Sequence, residues 1–189
     1  MVFMLLINLL TVLLLMFFKR RVIDGIDGNN KIVCKLKSLN WFHNHWLAGL
    51  FLFALNAGLF FTVVLILYVL MFVDIPYVHI LVMLAGTILS IYFWAVINKT
   101  WQGSAINCFK MALLGSSFYA ILGGIFIYLL VTLGPDKPGE DLFMKALGLF
   151  IGLCVTATAF LICLYMIGIP NGRKQLYKVP YFKIKGWDK

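Results

Sequence analysis

The sequence predicts an all-α polytopic membrane protein built as a five-helix transmembrane bundle, and three observations carry that expectation. Hydrophobic residues make up 63% of the 189-residue chain and charged residues only 12%, against roughly half apolar in soluble domains; mean hydropathy is +0.99. The apolar residues gather in runs at 2–18, 47–73, 75–97, 111–133 and 146–169. Each run approaches or exceeds the length a helix needs to cross about 30 Å of hydrocarbon. The basic residues are segregated: fourteen of the sixteen Lys and Arg lie in 19–45, 98–110 and 170–189, and only Lys137 and Lys145 lie between the other runs. Basic loops are retained in the cytoplasm. The expected topology in the cell membrane is therefore N-terminus outside and C-terminus cytoplasmic, with one membrane domain over 1–189.

The first run, Val2–Phe18, is followed by Lys19-Arg20-Arg21. A signal peptide carries its positive charge before the apolar run and small residues at a cleavage site; this pattern instead predicts an uncleaved first helix. Residues 19–45 form the expected cytoplasmic loop. Two β-prone runs flank Asp24-Gly25 and Asp27-Gly28, which fits a small hairpin or a solvated connector. Asn40–Trp46 mixes aromatic and polar residues as membrane interfaces do. His43 and His45, with Cys34, are the weak candidates for a metal; two residues apart on a helix, the histidines would face different ways. Interfacial anchoring is the favoured reading of them, and no cofactor is expected.

The run 47–73 holds Asn56, an amide that must face another helix, because unsatisfied polar groups in lipid are costly. Asp74–Tyr77 reads as a tight outer turn, with His79 as a candidate partner for Asp74 or as a solvated loop histidine. The run 75–97 carries Gly86 and Ser90. In the loop 98–110, Asn98-Lys99-Thr100 matches a glycosylation sequon. The run 111–133 has Gly115 and a small-residue seam Ser116–Ala120–Gly124; the run 146–169 has the seam Gly148–Gly152–Thr156. Residues four apart share a helix face, and small residues let backbones approach where lipid supplies no hydrophobic drive. These seams predict that the last two helices pack on each other, and Gly168 and Pro170 end the final helix.

An offset of 66 maps Gly49, Gly58 and Gly86 onto Gly115, Gly124 and Gly152, and Ser90 onto Thr156. This predicts two parallel-repeat helical hairpins, 47–97 and 111–169, related by an axis along the membrane normal. The tail 170–189 interleaves Arg and Lys with Tyr, Phe and Trp, as expected of a strip on anionic inner-leaflet lipid. Nucleic acid is not an expected partner. Cys154 and Cys163 are too far apart along one helix to bridge, while Cys34 and Cys108 fall in loops expected to be reduced.

No ionisable residue occupies the centre of a run. That argues against a carboxylate proton relay and against buried acid–base catalysis. Asn56, Ser90 and Thr156 could form a polar seam, joined by Ser116, Ser117, Tyr119 and Thr158; hydrogen bonding between helices accounts for them as well. Three functions remain open. The leading one is a non-enzymatic protein acting by association, as a regulatory or accessory subunit, with a second membrane protein or its own copy as partner. The others are a small transporter or permease subunit for an uncharged substrate, and an interfacial enzyme using His43, His45 or Cys34.

Overall fold

A computed structural model describes residues 17, 19–26, 31–72, 77–134 and 142–169. The predicted first span other than Phe17, the turn at Asp74–Pro76, most of the 134–141 loop and the basic tail lie outside the described residues. All described secondary structure is helical, and four helices are long and apolar enough to cross a membrane.

Residues 19–25 are helical. They lead to α1 (Lys31–Ser38) and a 3-10 turn at Asn40–His43. This is a correction: the β-prone runs do not form a hairpin. Ile23 and Ile26, three apart, and Val33, with Leu36 three further on, set their apolar side chains at helical spacing. Ile23, Ile26 and Val33 are buried in the core, with Leu36 packed against it. Burial of that face outweighs the β preference of branched residues.

The four long helices are α2 (His45–Leu70), α3 (Val78–Thr100), α4 (Ala105–Val131) and α5 (Leu142–Gly168). Asn44 caps α2 by accepting from the Trp46 amide at 3.1 Å, and Ser104 caps α4 by accepting from the Asn107 amide at 3.3 Å; such caps satisfy donors that have no partner in the first turn. The predicted loop 98–110 shortens accordingly to 101–104: Asn98 and Lys99 belong to α3, and Cys108 to α4.

The helices form a ring in the order α2, α3, α5, α4, with α4 against α5 and α2 against α4 as the extensive contacts. The diagonal pairs, α2 with α5 and α3 with α4, keep their backbones apart. Each helix of the first hairpin therefore lies beside its counterpart in the second. A twofold through the bundle centre would place counterparts across from each other, so the hairpins sit side by side instead. The glycine pairs nevertheless share environments. A Cβ at Gly49 or Gly115 would strike a leucine of the other hairpin, Leu114 or Leu52. One at Gly86 or Gly152 would strike the first helix of its own hairpin, at Val63 or Phe126. At Gly58 and Gly124 there is nothing within 4 Å.

The buried residues concentrate at one end. They are Ala48 to Asn56 on α2, Trp94 to Thr100 on α3, Cys108 to Gly123 on α4, and Thr156 and Ile162 to Gly168 on α5. This is the end that carries residues 19–43, and it is called here the basic end. Towards the opposite, far end the helices turn large apolar side chains outward, among them Phe61, Leu65, Leu81, Ile88 and Ile127, as a lipid-facing surface does.

Candidate functional site

The chemistry of the chain lies in two places, a polar lock at the basic end and a crevice towards the far end. The lock is centred on Asn56, whose side chain is fully buried (0% exposed). Its Nδ2 donates to the Gly115 carbonyl at 3.0 Å and lies 3.7 Å from the Cys163 sulfur. Its Oδ1 accepts from Trp94 Nε1 at 2.9 Å. One amide thus touches α3, α4 and α5 from α2. Close approach at Gly115 permits it: a Cβ there would lie 2.2 Å from Leu52 Cγ and 2.7 Å from Leu52 Cβ.

A second set of donors closes the end of α5. The last carbonyls of a helix lack intrahelical partners and carry the negative end of its dipole, and α5 has no basic residue in its own last turn. The donors come from elsewhere. Asn98 Nδ2 reaches the carbonyls of Met166, Ile167 and Ile169 at 2.9, 3.2 and 3.3 Å. The Cys108 thiol donates to the Ile167 carbonyl at 3.1 Å. Lys19 Nζ donates to the carbonyls of Tyr165 and Ile169 at 2.6 and 2.9 Å and sits 4.4 Å from the centre of the Tyr165 ring. Burial draws the Lys19 ammonium down to about 8, with the Cys108 sulfur opposing; the two carbonyls and the helix dipole also favour its charged form. Lys99 in turn donates to the carbonyls of Ile23, at 3.1 Å, and Ile26. Residues 19–26 and α3 thereby hold each other, while Phe42, buried, meets Trp101 edge-on at 6.2 Å.

The two short helices form a platform across this end. Arg20, Lys31, Cys34 and Lys35 lie on its exposed side, and Ile23, Ile26 and Val33 are buried. His45 is half-buried at the start of α2 with its ring beside Trp46. The His43 side chain lies outside the described set. Among the described residues, no three His, Cys, Asp or Glu side chains converge.

The crevice has a volume of about 400 Å³. Its walls are α2 from Leu59 to Leu67, α3 from Met83 to Trp94 and α5 from Val155 to Ile162, and Tyr119 of α4 closes its base beside Trp94. No charged residue lines it.

The residues of the predicted polar seam have different surroundings. Ser90 lines the crevice, Asn56 lies behind Trp94, and Thr156 is buried where Gly123 of α4 approaches its Oγ1, donating to the carbonyls of Gly152 and Leu153. In the packing seams, Gly115, Gly152 and Thr156 meet neighbouring helices and Ser116 is buried. Gly124 and Gly148 have nothing within 4 Å, and Ala120 is exposed, so these three take no part in packing among the described residues. The close face of α4 is Gly115–Tyr119–Gly123, one position away from Ser116–Ala120–Gly124. Trp94, Thr87, Lys19, Asn98 and Cys108 were not singled out by spacing. A helix end without its own donors was the available signal for the last three.

Taken together, these features define a helical, membrane-type bundle with four long apolar helices. Comparison with family models, curated proteins and solved structures finds no match to this chain.

Proposed function

We propose that the protein is a non-enzymatic integral membrane protein that works by association, as a regulatory or accessory subunit, with the platform as its contact surface. The observation that carries this reading is the locking of residues 19–26 and 31–38 onto the bundle. A connector needs no such attachment, whereas Lys19 ties this segment to the end of α5 and Lys99 of α3 holds the Ile23 and Ile26 carbonyls. The outcome is a cationic face, with Arg20, Lys31 and Lys35 exposed. By the distribution of basic residues this face lies on the cytoplasmic side. Anionic lipid headgroups, and an acidic segment of a partner subunit, complement it; the tail adds a second basic strip.

The test is charge reversal at the exposed positions only. In native membranes solubilised in mild detergent, the full chain is expected to migrate as an assembly larger than itself. The combined variant Arg20→Glu, Lys31→Glu, Lys35→Glu should release it to the size of a monomer while leaving its thermal stability unchanged. Migration as a monomer from the outset, or an assembly indifferent to the triple reversal, overturns the reading. The second reading, a small transporter for an uncharged solute, is favoured by the uncharged crevice; solute uptake into proteoliposomes of the purified chain decides for it.

A further inference from the structure

We propose that the crevice between α2, α3 and α5 binds one uncharged, lipid-soluble molecule: a long apolar body with a single oxygen that accepts a hydrogen bond from Tyr119. The inference is independent of the platform reading. The volume of about 400 Å³ falls in the range of small-molecule sites, which are mostly apolar with a few placed polar groups. The hydroxyls on its walls are of two kinds. Thr87, Ser90 and Thr158 each donate to the carbonyl four residues back on their own helix, at 2.9, 2.9 and 2.7 Å, to Met83, Gly86 and Cys154. They need nothing from the cavity.

Tyr119 differs. Its side chain is only 8% exposed, yet its hydroxyl makes no hydrogen bond among the described residues. Trp94 meets it edge-on at 6.3 Å but directs its own N–H to Asn56. No buried side-chain nitrogen or oxygen among the described residues is sealed without a partner, so the phenol oxygen stays reachable, and the space that Tyr119 lines is the crevice. A hydroxyl held in an apolar environment without a partner costs free energy that an acceptor recovers. Plain acyl chains bring no oxygen to this depth. A charged ligand would lose its hydration with no counter-charge on the walls.

The experiment uses the full chain in phosphatidylcholine nanodiscs and a hexadecanol that carries a photoactivatable diazirine in mid-chain. Labelling is expected on the crevice walls, at residues 59–67, 83–94 and 155–162. Unlabelled 1-hexadecanol should displace the probe roughly fivefold better than hexadecane does, the worth of one neutral hydrogen bond. Tyr119→Phe, which removes only the oxygen, should abolish that preference without altering the melting temperature. Ala159→Phe, which fills the cavity, should abolish the labelling. Labelling spread evenly over the outward apolar faces, or a preference that survives Tyr119→Phe, overturns the proposal. So does finding residues 2–18 cross-linked into the crevice in place of the probe, which would make the chain's own first apolar run the occupant.

Discussion

The two halves of this bundle are built from the same kind of helix and held by different means. At the basic end Asn56 joins four helices, and the carbonyls at the end of α5 receive donors from Asn98, Cys108 and Lys19. Towards the far end the Thr87, Ser90 and Thr158 hydroxyls of the crevice are turned back on their own helices, and α2, α3 and α5 enclose about 400 Å³. In lipid, apolar faces gain little from each other that they do not gain from acyl chains. Close packing and polar contacts therefore decide where such helices touch; glycine approaches occur in both halves, at Gly115 and at Gly86 and Gly152, whereas the interhelical hydrogen bonds among the described residues gather at the basic end.

The most direct way to break this contrast is at Gly115. A side chain there meets Leu52 at its Cβ and Cγ, near the backbone, where rotamer changes give little relief. Gly115→Leu should cost about 3 kcal/mol or more, seen as loss of monodisperse protein and a collapsed melting transition in detergent. Its control is Gly124→Leu, on the same helix with open space around it, where the change should stay within about 0.5 kcal/mol. If the two cost the same, the close approach at the basic end is not what holds the bundle.

Asn56→Leu comes next. It leaves the Trp94 N–H without an acceptor in an apolar site while keeping volume nearly constant. Interhelical polar contacts in membranes are worth about 0.6 kcal/mol on average and up to about 1.7 kcal/mol, so a loss of about 1–2 kcal/mol is expected in a denaturant titration. The indole reports it directly, since Trp94 fluorescence should shift in the folded variant.

Part of this contrast is legible in the sequence. An amide inside an apolar run announces that it needs partners, but which helices supply them depends on how the ring closes, and a linear pattern does not contain that. The seam on α4 shows the limit well. Spacing of four fits both Ser116–Ala120–Gly124 and Gly115–Tyr119–Gly123, and only the bulk of Leu52 and Thr156 on the neighbouring helices selects the second. The platform is hidden in the sequence for another reason. Val22, Ile23, Ile32 and Val33 favour strands locally, whereas their helical spacing matters only once there is a bundle end to cover. The caps on α5 come from residues 59 to 150 positions away, so no local signal names them.

Lys19 sharpens the comparison through pH. Its folded value of about 8 lies below the ordinary 10.5, so the unfolded chain binds more protons between those two values. Stability must then rise as pH increases from about 8 to about 10.5, as the cost of keeping the buried ammonium charged is relieved. The difference in melting temperature between wild type and Lys19→Met, measured from pH 7 to 10.5, should carry that slope; a difference that is flat with pH would mean the carbonyls and the dipole of α5 fully compensate burial.

The smallest effect is expected at Ser90, and it tests the far end. The Ser90 hydroxyl donates to the Gly86 carbonyl of its own helix at 2.9 Å and faces a cavity, not a neighbouring helix. Ser90→Ala removes an i−4 back-bond of a kind that slightly destabilises and bends helices, leaves no orphaned donor on another helix, and opens little new volume beside existing space. Its cost should stay within about 0.5 kcal/mol in the same titration that registers Asn56→Leu. A loss as large as that of Asn56→Leu would mean that the outer part of α3 is gripped through Ser90 by another element. The far half would then be a packed interface and the division between the two halves would fail. A negligible loss, together with unchanged behaviour of the Asn56 lock, would show that the Ser90 hydroxyl does not hold the far half together, as its bond within its own helix implies.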